Sequence, residues 1–140
     1  MSVIATSYNN FSRVVKFEQS PEKAVCRDAV VINDLAATLP VGQVMGKVTA
    51  TGKWKVCLTA AVDGSQNPAG VLICDGLGLA QPVVVAASTD TNAVLLTRGS
   101  AIVADNALTL GAAGVGGPTL AAVKAAFLAL NDPILVETQI

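Results

Sequence analysis

There is no histidine anywhere in the 140 residues. Acyl transfer by a serine or cysteine ordinarily needs an imidazole base, so that chemistry starts without its usual partner. A zinc site would need carboxylate help. The three cysteines, Cys26, Cys57 and Cys74, are odd in number, widely spaced and without a Cys-x-x-Cys pair. They are expected to be reduced thiols in the core, which fits synthesis in a cytosol. Long apolar runs are lacking too. Charge, glycine or proline breaks each of them well short of about 18 residues, so no membrane span is expected. The N-terminus, "MSVIATSYNNFSRVV", has neither the basic start nor the apolar run of a signal peptide.

Charge is scarce. Charged residues make up 14 % of the chain, against about 25 % in an ordinary globular protein. Net charge is −1 with no basic block, which argues against a phosphate-tracking nucleic-acid surface. The charges are also uneven: eight of the nineteen lie in residues 1–34, and only eight in residues 56–140. A body with so little charge is either poorly wetted or covered by other subunits. The second reading is favoured, because obligate interfaces are depleted in charge.

What is present is apolar and small. Hydrophobic residues are 52 % of the chain, with one Trp, one Tyr and three Phe among them. Ala and Val dominate, and the length suits one domain with its own core. Three of the aromatics, Tyr8, Phe11 and Phe17, fall in the first 24 residues. That segment reads as an arm, with "EQSPEK" (18–23) as a linker or turn. A solvated tail has no use for aromatics. They pack back on the body or onto a partner, and the partner is slightly favoured because aromatics anchor interfaces.

From Ala24 the signals are mostly β. Strands are expected at "AVCRDAVVI" (24–32), "QVMGKVT" (43–49), "KWKVCLT" (53–59), "AGVLICD" (69–75), "PVVVAAS" (82–88), "AVLLTRG" (93–99), "SAIVAD" (100–105) and "PILVE" (133–137). Between the second and third, a three-residue loop Ala50-Thr51-Gly52 pairs Val48 with Trp54 and Val44 with Leu58. Gly52 then takes the left-handed position. That register sets Lys47 against Lys55, tolerable only on a wet face. "GAAGVGGP" (111–118) reads as a flexible loop. One helix is expected at about 119–130: Leu120, Val123, Phe127 and Leu130 recur at three- and four-residue steps, Thr119 caps the start and Asn131-Asp132-Pro133 ends it.

The richest cluster of reactive groups is "DGSQNPAGVLICD", 63–75, with Ser65, Cys74, Asp63 and Asp75. No base stands near Ser65 in sequence, and the nearest lysines sit on the expected strand 53–59. Two carboxylates that meet in space can do acid–base work, but nothing in the sequence brings these two together. The glycines of 111–117 lack the lysine and hydroxyl of a phosphate loop and the order of a dinucleotide fingerprint. The stretch 63–75 is therefore expected to be a turn feeding a buried strand, and no enzyme activity, metal or cofactor is expected.

The order of segments then carries a resemblance. "LPVGQVMGKVTATGKWKVC" (39–57), "AAVDGSQNPAGVLICD" (60–75) and "AVLLTRGSAIVADNALTLG" (93–111), followed by a terminal helix, resemble the bacteriophage lambda-type head decoration proteins over about residues 24–130. The resemblance implies a mainly β fold with minor α, of the β-clip kind, and a non-enzymatic capsid protein. It implies a homotrimer at the three-fold and quasi-three-fold sites of the expanded head, on the outer surface of the virion. There it binds the major capsid protein and stabilises the shell against packaged DNA. It also implies an arm, residues 1–24, that adds a strand to the capsid, ahead of a β-rich decoration domain, residues 25–140. "RVVKFE" (13–18) is the candidate strand, so the expected capsid-binding residues are Tyr8, Phe11, Arg13, Val14, Val15, Lys16 and Phe17. No nucleic acid or membrane partner is expected. The arm is longer than in compact members of the family, so its contacts do not transfer residue by residue. The competing reading is a free-standing β-rich module that binds a ligand or carbohydrate. It would need an aromatic platform or a polar cleft on the body; Trp54 and Phe127 are the candidates there, and both are expected in the core, so an exposed Trp54 beside polar groups would favour it.

Overall fold

A computed structural model of the chain describes residues 14–18, 26–99, 101–112, 115–130 and 133–137. Its strands are β1 (Val15–Glu18), β2 (Arg27–Ile32), β3 (Ala37–Leu39), β4 (Val44–Lys47), β5 (Trp54–Val56), β6 (Gly70–Asp75), β7 (Val83–Val85), β8 (Thr91–Leu96), β9 (Ala101–Ala104), β10 (Gly111–Ala112), β11 (Val115–Gly116) and β12 (Ile134–Glu137). A 3-10 turn spans Asp105–Ala107, and one helix, α1 (Leu120–Leu128), precedes β12. The fold is mainly β with a single helix near the C-terminal end, as the sequence led us to expect.

Five strands close a barrel in the order β2-β5-β4-β6-β8. Its hydrophobic filling comes from every one of them: Ile32, Met45, Trp54, Val56, Leu72, Ala93 and Leu95 form one buried cluster. Leu39, Val83 and Val85 from the β3–β7 pair join the same cluster. A second cluster lies on the other face of β4 and β6, where Val44, Val71 and Ile73 pack with Val14, Val15, Val103, Val123, Phe127 and Ile134. Apart from Val14, which immediately precedes β1, these last come from the three-stranded sheet β1-β9-β12 and from α1. β6 is therefore buried on both faces. That explains why "GVLICD" runs apolar without alternation.

α1 begins where Thr119 accepts a hydrogen bond from the Ala122 N–H at 3.2 Å. Val123 and Phe127, one turn apart, are fully buried, while Leu128 faces out. Ala-rich spacing between them leaves the helix close to β12.

The β4–β5 hairpin corrects one expectation. Met45 pairs with Val56, Gly46 with Lys55 and Lys47 with Trp54, one residue away from the expected register. The connection is the four residues 49–52, closed by the Gly52 N–H donating to the Val48 carbonyl at 2.9 Å. Gly52 does adopt the left-handed backbone, φ 72°. The register argument assumed one wet face, but Val44 and Met45 are both fully buried, so alternation did not decide between registers. The observed pairing also separates Lys47 from Lys55. Two further differences concern short elements: β3 was not foreseen, and the 111–118 loop contains the two-residue strands β10 and β11.

Candidate functional site

The expected capsid-binding residues fall in three groups. Tyr8, Phe11 and Arg13 lie outside the described residues. Val14 and Val15 are core residues, 0 % and 6 % exposed. Lys16 is exposed, and Phe17 belongs to β1, which pairs antiparallel with β9 through Val15↔Val103, Phe17↔Ile102 and Glu18↔Ala101. The pairing is irregular between Val15 and Phe17, a bulge of the kind found where a sheet edge is re-aimed. β9 is the middle strand, so β1 has one edge against β9 and one edge that pairs with no strand among the described residues. Such an edge is a row of backbone donors and acceptors on which another chain can build.

The Asp63–Gln66 corner is held by its own hydrogen bonds. Asp63 Oδ1 accepts from the Ser65 hydroxyl at 2.5 Å and from the Ser65 N–H at 3.0 Å. The Gln66 side-chain oxygen accepts from the Gly64 N–H at 2.8 Å, and the Cys57 thiol donates to the Gln66 carbonyl at 3.3 Å. The corner lies across the hairpin: the Thr49 N–H donates to the Asp63 carbonyl at 2.9 Å, and the Ala69 N–H to the Met45 carbonyl at 2.9 Å. Ser65 is 1 % exposed and fully engaged, so it has no access to a substrate. The bonds from Ser65, with Lys55 beside it, hold the Asp63 carboxyl below its usual range.

Asp75 works the same way in its own turn. Its oxygens accept from the Leu77 and Leu79 N–H groups at 2.9 Å each and from the Gln81 amide at 2.6 Å. The Leu79 and Gln81 bonds lower its pKa first. Neither carboxylate is a raised-pKa acid poised to give up a proton. All three cysteines are buried and free of disulfides, and burial pushes the Cys57 thiol up to about 11. It stays protonated at neutral pH and is a poor nucleophile. Trp54 is 6 % exposed inside the barrel, so it offers no aromatic platform to a sugar.

Grooves among the described residues include three. One runs between β2 and the hairpin tip and includes Asp28, Lys47 and Lys53. A second, beside it, includes Lys53 and Lys55. The third follows Asp34 to Leu39 with Val56, Leu58 and Ala112, and Asp34 is its one charged residue. Two of their lysines are tied into ion pairs at the surface, Lys53–Asp90 at 2.9 Å and Lys55–Asp63 at 3.5 Å. Sequence reasoning passed over the third groove. Its segment "NDLAATL" (33–39) lies between two expected strands, 24–32 and 43–49.

No curated protein and no solved structure matches the chain. The family model described as bacteriophage lambda head decoration protein D matches residues 4–131, which take in β1 to β11 and the helix and stop short of β12. A decoration role on a phage head, as a structural component and not one of an enzyme class, follows from that membership. Matched over nearly its whole length, the chain belongs to the bacteriophage lambda head decoration protein D family.

Proposed function

We propose that this chain is a capsid cement: a homotrimer seated on the outer surface of the expanded head, at three-fold and quasi-three-fold positions. There it grips neighbouring copies of the major capsid protein and resists the pressure of packaged DNA. The observation that carries this reading is the surface. Leu35, Val62, Leu77, Val84 and Val115 are each more than 70 % exposed on a chain with only 14 % charged residues. A monomer does not profit from such a surface. An assembly that covers it does.

The arm supplies the grip on the capsid. Val14 and Val15 root it in the core, β1 offers its outer edge to a capsid strand, and Tyr8, Phe11 and Arg13 extend the contact from the segment ahead of β1. Backbone hydrogen bonds provide affinity, and the side chains along the strand select the site. Three arms on one trimer multiply weak contacts. A single arm of roughly micromolar affinity, about −8 kcal/mol, gains about 10²–10⁴ in avidity when linked to its copies. No catalytic step is part of this function.

Deleting residues 2–12 tests the arm while leaving Val14 and Val15 in place. Light scattering should still report a trimer, and co-sedimentation with expanded heads should be lost. Undiminished co-sedimentation would refute residues 2–12 as part of the grip.

A further inference from the structure

We propose that the Asp63–Gly64 peptide is a latent site of isoaspartate formation and that the Gln66 side chain guards it. The chemistry starts from the dipeptide. A backbone nitrogen that follows an aspartate can attack the aspartate's own carboxyl group. Glycine in that position makes the attack easiest, because no Cβ shields the nitrogen or restricts its approach. The chain carries two such pairs, Asp63-Gly64 and Asp75-Gly76.

The reaction needs no reagent but water. The Gly64 nitrogen bonds to Asp63 Cγ, while the carboxyl hydroxyl and the amide hydrogen leave as water. A cyclic imide results. Water reopens it, and opening at the Asp63 backbone carbonyl leaves the main chain running through the side chain of residue 63. The backbone is then one methylene longer at a corner that is bonded to the hairpin through that same carbonyl.

The fold cannot avoid the dipeptide. Asp63 is needed because its Oδ1 holds the Ser65 hydroxyl and N–H, at 2.5 and 3.0 Å. Gly64 is needed because its φ is 104° and a Cβ there would overlap the Thr49 hydroxyl and meet the Lys47 carbonyl at 3.0 Å. The residues that suit the corner are the residues that react.

Four contacts stand in the way. The Asp63 carbonyl accepts from the Thr49 N–H at 2.9 Å, and the Gly64 carbonyl accepts from the Asn67 N–H at 3.3 Å. Ser65 holds the carboxyl group and keeps it ionised, and a carboxylate has no hydroxyl to lose. The fourth contact engages the nucleophile itself: the Gly64 N–H donates to Gln66 Oε1 at 2.8 Å. At Asp75 a glutamine is placed differently, since Gln81 donates to the carboxylate, at 2.6 Å. A chain mounted on a phage head is not resynthesised there, so slow backbone damage accumulates with the age of the particle.

The test is prolonged incubation at neutral pH of wild type, Gln66→Leu, Gln66→Glu and Gln81→Ala. Digestion, enzymatic methylation of isoaspartyl groups and mass spectrometry then give the rate at residue 63. In wild type that rate should be at least about tenfold lower in the fold than in urea, and Gln66→Leu should raise the folded rate by about tenfold, the equivalent of one hydrogen bond that otherwise breaks before attack. Gln66→Glu keeps an oxygen for the Gly64 N–H and should stay near wild type. Gln81→Ala should leave residue 63 unchanged. Equal wild-type rates in the fold and in urea would overturn the proposal. A wild-type rate in Gln66→Leu would do the same, as would a Gln66→Glu rate matching Gln66→Leu. Fast amide exchange at Thr49 in Gln66→Leu would overturn the guarding role too, because the glutamine would then be holding the whole corner and not the nitrogen.

Discussion

Gly46 stands beneath the Ser65 carbonyl, so close that a Cβ there would overlap the backbone of Ser65. This contact joins the hairpin to the Asp63–Gln66 corner. Gly46→Ala should therefore force the corner away and destabilise the fold by about 1–3 kcal/mol, the cost of overpacking a tight site. Gly52→Ala makes the contrast. Gly52 has open space around it and only its left-handed backbone to defend, which costs about 1–2 kcal/mol. Urea midpoints should fall for both, and amide exchange separates them: Gly46→Ala should also disturb the corner, seen as faster exchange at Thr49 and Ala69, while Gly52→Ala should not. Gly52 was legible in the sequence because "TG" before a strand is turn chemistry. Gly46 was not, because its neighbour is nineteen residues away and only the folded chain brings Ser65 over it. The serine, cysteine and carboxylate that looked like a reactive cluster resolve at this scale into a hydrogen-bonded corner. The nearby thiol is Cys57, bonded to Gln66, whereas Cys74 belongs to the far end of β6.

At the scale of elements, most strands and the helix could be read directly. β6 and α1 are the clearest cases, since a six-residue apolar run and a three-and-four repeat each admit few alternatives. The hairpin register could not be read from pattern. β4 is buried on both faces, and a strand with two dry faces carries no alternation to fix it. β3 escaped because "ATL" is short and gets its strand character from β7, a tertiary partner. The candidate site divides in the same way. The segment 13–18 was visible as a strand, but nothing in the sequence told that β9 would receive it. The groove along 34–39 depends on Ala112 and Gln43 arriving from distant parts of the chain. Within α1, Phe127 is the largest fully buried side chain of the described residues, and it faces the cluster between the barrel and the outer sheet. Phe127→Ala should cost about 3–5 kcal/mol, while Thr119→Ala at the cap should cost about 1 kcal/mol. Thermal denaturation of the two variants would check both the size and the order.

For the whole molecule, the sparse charges are arranged to be used locally. Burial works against the Asp28 carboxylate, but the Thr97 hydroxyl and Arg98 guanidinium, each at 2.7 Å, hold its pKa below the usual value. Asp90 is lowered by the Asn33 amide and by Lys53, and Asp63 and Asp75 by their turns. All four shifts have the same sign. In the unfolded chain these groups return to about 3.9 and bind protons more readily than in the fold. Their stabilisation is complete above that value and is lost as pH falls through the depressed values. The urea midpoint should therefore hold steady from about pH 7 to pH 5 and fall clearly by about pH 3. An unchanged midpoint at the acid end would mean that these contacts contribute nothing net. The same tethering leaves few charges to repel a neighbouring subunit, consistent with a molecule built to be packed among others.

One consequence of the sheet order concerns time. The five barrel strands all lie between Arg27 and Leu96, so every barrel pairing is available once that length of chain has been made. The sheet β1-β9-β12 is different. Its middle strand comes after the barrel, its first partner precedes the barrel, and its last partner follows α1. Joining β1 to β9 closes a loop that contains the whole barrel, and such long closures come late and slowly. During synthesis β1 has no strand to join until β9 emerges, and the sheet lacks its third member until β12 does. The segment proposed to grip the capsid is thus positioned among the last parts of the fold. A nascent chain has its barrel before it has its handle.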